Sequence, residues 1–191
     1  LQGQLRDDKS LAYSPKLDHE ALLNLQLPPA VPFTNAGCKQ LGAAVGTADF
    51  SALFLHDKLE GLNQDLHTLS FMPSLQAQHI ILNKSLSRKV NHLLRTIPNC
   101  GDPEHPHSRI LAQLDDKLRR ATSRICGATI PGDSVAWTVA RLPTRHGGLG
   151  LSSPSTTADS AFVAAYLHAR MMLPLYLPEF FSNAFPSLPT T

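Results

Sequence analysis

Cysteine is scarce in this 191-residue chain: Cys38, Cys100 and Cys126 are the whole supply. An odd number of widely spaced cysteines argues against a disulfide framework and for a reducing compartment. Long hydrophobic runs are missing too. No stretch approaches the roughly 18 apolar residues of a membrane span, so no membrane partner is expected, and the first residues do not read as a signal peptide. Leu1 stands in what reads as the middle of a helix, which suggests the tail of a longer protein. There is no internal repeat and no low-complexity tract. The least expected gap is one of sign: no Asp or Glu occurs between Asp65 and Asp102.

What is present is ordinary in bulk. The hydrophobic content of 42% is near the globular norm, which argues against wholesale disorder. Lys and Arg number 17 against 15 for Asp and Glu, a net of +2, so a polyanion must be met by a local patch rather than by a global field.

Ser10–Ser14 reads as a short strand closed by Pro15. The stretch "QLPPAVPFT" (26–34) is a connector, and "NAGCKQLGAAVG" (35–46) reads as a hairpin or pair of short strands. Helices follow. Ala48–Leu69 spaces Phe50, Leu53, Phe54, Leu59, Leu62, Leu66 and Leu69 mostly three to five apart, with Asp49 in the first turn. Pro73 opens a second helix that ends before Pro98. The third runs from about His107 to Cys126 and stops at Gly127. The fourth is Asp133–Leu142, and the fifth, Ala158–Met172, follows the capping residues of "SSPSTT". The fold class expected is mainly α, with a small N-terminal β hairpin.

The carboxylate-free gap contains "NKSLSRKVNHLLRTIPN" (83–99), with Lys84, Arg88, Lys89 and Arg95. Advancing about 100° per residue along Pro73–Ile97 gathers Leu75, Leu82, Leu86, Val90, Leu93 and Ile97 into one stripe. Lys84, Arg88, Asn91 and Arg95 fall on roughly the opposite face. Cations one turn apart can follow a phosphate backbone and release its counterions. A plain solvated face is the alternative, although such faces are usually mixed in sign. In the next helix Asp115 and Asp116 precede Arg119 and Arg120 by four, so these pairs are expected to satisfy one another.

Other chemistry finds little support. Two-metal catalysis needs converging carboxylates, and Asp7–Asp8 and Asp115–Asp116 read as surface pairs. "RHGGLGL" (145–151) lacks the lysine and spacing of a Walker loop and reads as a tight turn with Leu149 and Leu151 inward. Cys100 with His105 and His107 lacks a fourth zinc ligand at suitable spacing. An independent enzyme using the cysteines and histidines would require a depressed thiol pKa at Cys38, Cys100 or Cys126.

The order of the pieces is informative. "DKSLAYSP" (8–15), "GCKQLGAAVG" (37–46), "LNKSLSRKVNHLLRTIP" (82–98) and "ARLPTRHGGLGLSS" (140–153) leading into "ADSAFVAAYL" together resemble the C-terminal part of a reverse transcriptase of the non-LTR retrotransposon type. The resemblance covers roughly Asp8 to Leu167. It implies a division into 1–47, the end of a palm-like region; 48–130, a helical thumb-like region; and 131–191, a helical extension. Lys9 would stand where the family places a general acid, and Leu41 and Gly42 would belong to the hairpin that grips the primer end. Lys84, Arg88, Asn91 and Arg95 would contact an RNA–DNA or RNA template–primer duplex. The aromatic-x-Asp-Asp turn that holds catalytic metal would lie before Leu1, so Mg2+ is expected only in the complete polymerase, whose remaining domains would be partners. An intracellular location, nuclear or cytoplasmic, is implied. The alternative is a decayed retroelement fragment serving as an α-helical interaction domain, with the apolar tail Leu173–Phe185 as its contact surface.

Overall fold

The computed structural model describes residues 10–15, 31–98 and 105–176. Lys9, the Asp7–Asp8 pair, Cys100 and the end of the apolar tail lie outside these residues. The chain is mainly helical with a small antiparallel hairpin near its start.

Two short strands, β1 (Ala12–Tyr13) and β2 (Phe33–Thr34), pair in parallel, Ala12 opposite Phe33. β3 (Gly37–Gln40) and β4 (Ala43–Gly46) then form the hairpin, in register Gln40 with Ala43. Its turn is the dipeptide Leu41–Gly42, with φ of 50° and 84°. Two positive φ values give the backbone twist that matches paired strands. Glycine adopts them freely; leucine does so at a cost.

Helix α1 (Ala48–Ser70) begins where the Thr47 hydroxyl accepts a hydrogen bond from the Phe50 amide at 3.3 Å. It buries Leu55, Leu59, Leu62, Leu66 and Leu69, while Phe50 and Phe54 pack at the core's edge. Leu53, expected inside, is 69% exposed. Leu55 takes the inward position because it lies four before Leu59 on the same stripe.

The single helix expected from Pro73 to Ile97 is broken. α2 (Leu75–Lys84), capped by Ser74, gives way to a 3-10 turn at Leu86–Arg88 and then to α3 (Asn91–Leu94). The break falls among Asn83, Ser85 and Ser87, whose short polar side chains compete for backbone groups. The buried Ser87 hydroxyl donates to the Asn83 carbonyl at 2.9 Å. The linking residues Ser85, Lys89 and Val90 keep right-handed helical dihedrals. Leu82, Leu86, Val90, Leu93 and Ile97 therefore still point inward, whereas Leu75 is 55% exposed.

α4 (Pro106–Cys126) has Pro106 in its first turn and stops at Gly127, which takes the left-handed conformation at φ 64°. α5 (Val135–Arg141) follows the Ser134 cap. α6 (Pro154–Tyr176) starts four residues before the expected Ala158, because a proline suits the first turn, and it continues through Pro174.

α1 lies along α4, which also supports α2, while α3 and α4 carry α6. One apolar core joins Ala43 and Ala44 of β4 to Leu62, Leu82, Leu93, Leu118, Trp137 and Leu151. Leu62, Leu82 and Leu93 are wholly buried, each worth about 1.5–3 kcal/mol relative to exposure. His107 ties three segments together: Nδ1 lies 3.0 Å from the Pro98 carbonyl and Nε2 3.2 Å from the Ala48 carbonyl.

Candidate nucleic-acid interface

The packing of the broken segment decides what its cations face. With its apolar residues in the core, Lys84, Arg88 and Arg95 are driven outward and are exposed. Lys84 closes α2, where a cation complements the helix dipole. Arg88 closes the 3-10 turn and Arg95 caps α3. Among the described residues none of the three forms an ion pair. Lys89 differs: its ammonium is bonded to the Asp65 carboxylate of α1. The segment is thus not wholly unanswered, since a carboxylate 24 residues upstream reaches it through the α1–α2 packing.

Lys84 and Arg88 stand on a ridge between two depressions. On one side is a groove of about 690 Å³ with Lys89, Asp65 and an apolar floor that includes Leu69, Met72 and Ile81. On the other is a cleft of about 220 Å³ whose far wall is Arg141, Thr144 and Gly150. Arg95 borders neither. Asn91 is half-buried at the start of α3, its Oδ1 shielded and without a hydrogen-bond partner among the described residues.

The hairpin comes close to the same segment. β4 packs against α3, and a Cβ placed on Gly42 would lie 4.0 Å from His92 Nε2. Leu41, beside it, is fully exposed despite its left-handed backbone. Leu41–Gly42 and the basic segment, 50 residues apart in the chain, thus adjoin each other.

The glycine turn is held by packing. A Cβ on Gly148 would strike the Leu142 carbonyl, and Asn83 Nδ2 donates to the Leu149 carbonyl at 2.7 Å. Leu151 is buried and Leu149 packs at the core's edge.

Asp115 does not pair with Arg119. Asp116 takes both Arg119 and Arg120, while Asp115 turns to the start of α6. There it accepts hydrogen bonds from the Ser155 amide at 3.2 Å, the Ser153 hydroxyl at 2.9 Å and the Ser155 hydroxyl. Burial raises the Asp115 pKa above the ordinary aspartate value, outweighing these bonds and the attraction of Arg141. The sequence offered no periodic signal for this contact, because its partners lie about 40 residues away.

Among the described residues, which include His105 and His107 but not Cys100, no cluster of three or more His, Cys, Asp or Glu side chains occurs. No described helix is long and apolar enough to cross a membrane. Compared with protein-family models, curated proteins and solved structures, the chain matches none.

Proposed function

We propose that this chain is the palm end and thumb of an RNA-directed DNA polymerase of the non-LTR retrotransposon type, and that it holds template–primer duplex by its phosphates. The observation that carries the reading is the outward projection of Lys84, Arg88 and Arg95 from a segment whose apolar residues are buried, beside the tip of the hairpin. Backbone contacts of this kind position a duplex without reading its sequence. The reading assigns the metal-bearing carboxylates and their Mg2+ to a segment before Leu1.

Binding of the 191-residue chain to an RNA–DNA duplex, followed by fluorescence anisotropy over a salt series, tests it. Replacing Lys84, Arg88 and Arg95 together by Ala should lower affinity and flatten the salt slope by about 2.7, at roughly 0.9 per phosphate. An unchanged slope would sink the proposal.

A second reading, an α-helical interaction domain from a decayed retroelement, is favoured by one feature. Val163, Tyr166, Leu167, Met171 and Leu175 of α6 are at least half exposed, an apolar surface of the kind that marks interaction sites. Light scattering that returned a clean monomer would count against it.

A further inference from the structure

The cleft between α2 and the glycine turn presents cations from two distant parts of the chain on one small depression. We propose that it is a binding site for a single phosphate group, formed by Lys84, Arg88 and Arg141 and bordered by Thr144 and Gly150.

Charge is the first argument. Of the residues that line the cleft, three are cationic and none carries a carboxylate. A narrow depression walled by protein concentrates the field of such a set. Arginine and lysine together offer both geometries used on phosphate, the planar fork and the point charge. Asp115 acts on Arg141, and it reaches it through Ser153 rather than across the cleft.

Pre-organisation is the second. The near wall is the end of α2, and the far wall is the turn at Thr144–His146 together with Gly150. The hydrogen bond from Asn83 Nδ2 to the Leu149 carbonyl fixes the distance between them. Gly150 closes the contact, since a Cβ there would come within 3.1 Å of the same Asn83 nitrogen. Arg141 is held as well: its Nη1 donates to the Ser153 hydroxyl at 3.3 Å, and its guanidinium carbon lies 5.8 Å from the centre of the Trp137 ring. A cation already oriented by its neighbours loses less freedom when the anion arrives.

Size is the third. A volume of about 220 Å³ accommodates a phosphate group with its water, and is below the usual range of pockets for drug-sized molecules. The proposal rests on the duplex-binding reading only for the source of the phosphate. A strand lying along Lys84 and Arg88 would set one backbone phosphate in the cleft, and Arg141 and Thr144 would then join the interface.

The test uses the full 191-residue chain and two probes. In the first arm, ¹H–¹⁵N spectra are recorded during titration with inorganic phosphate, against chloride at matched ionic strength. Saturable shifts centred on Asn83, Lys84, Thr144 and Gly150 are expected. Thr144→Glu, an exposed position, puts a carboxylate at the cleft and should weaken phosphate binding roughly tenfold or more, since like charges repel strongly when brought together. Its melting temperature, measured in parallel, should match the parent's. Shifts that follow ionic strength alone, or that Thr144→Glu leaves unchanged, overturn the proposal.

The second arm measures RNA–DNA duplex affinity of Thr144→Glu. A loss together with phosphate binding supports the site and assigns it to backbone phosphate. Retained duplex binding with lost phosphate binding supports the site and assigns it to a free phosphate or small phosphoester. If inorganic phosphate does not bind while the Lys84, Arg88 and Arg95 triple variant still loses duplex, the cleft proposal fails and the duplex reading survives.

Discussion

Asp65→Asn offers a test that depends wholly on the tertiary contact between α1 and the basic segment. In the parent, the Asp65 carboxylate holds the Lys89 ammonium. Lys89 lines the same groove as Lys84 and Arg88, so removing the carboxylate adds one available cation to that face. Each phosphate neutralised steepens the dependence of log K on log salt by about 0.9. Between 50 and 200 mM salt, one more contact corresponds to roughly 3.5-fold additional loss of affinity, set against tighter binding at low salt. Stability should change little. The two side chains are 49% and 38% exposed, and pairs of this kind contribute about 0–1 kcal/mol. Anisotropy titrations of the parent and Asp65→Asn with an RNA–DNA duplex at four salt concentrations measure both slopes. An equal or shallower slope for the variant, with folding intact by circular dichroism, would refute the placement of duplex phosphates on this face.

Other outcomes follow from particular residues. Leu41→Asn should raise stability by about 1 kcal/mol, because Leu41 has φ of 50° and buries nothing; a lower urea midpoint would contradict that account. His107→Leu should cost about 1–3 kcal/mol, since it removes the donor to the Pro98 or Ala48 carbonyl, and a thermal melt would register it. Asp115→Asn should flatten the pH profile of stability. With its pKa raised in the folded state, native Asp115 binds more protons than unfolded Asp115, so the parent loses stability as pH rises from the ordinary aspartate value of 3.8 through the higher folded value. Urea midpoints for the two proteins over this range should show the parent falling relative to the variant; parallel curves would mean that the group is not buried as described.

The sequence by itself determined the helical character, the hairpin, and the inward and outward sides of the basic segment. Each rests on local patterns: apolar spacing along α1, the run from Gly37 to Gly46, and the alternation of Leu82, Leu86, Val90 and Leu93 with Lys84, Arg88 and Arg95. Periodicity survives a helix break when the linking residues keep helical dihedrals, which is why these facings hold although the single helix does not. The break has a local signal as well, the run of Asn83, Ser85 and Ser87, whose side chains compete for backbone groups against the hydrophobic stripe.

Only the tertiary structure decided the pairings between distant residues. Asp65 reaches Lys89 across 24 residues, Asp115 reaches Ser155 across 40, and Asn83 reaches Leu149 across 66. Nothing in a one-dimensional pattern distinguishes Asp115 from Asp116, since both stand four before an arginine. The difference arises because α4 is packed on one side, so that Asp115 faces the start of α6 and Asp116 faces solvent and its arginines. The cleft between Arg88 and Arg141 belongs to the same class. Its walls come from two segments that only the folding of the core brings together.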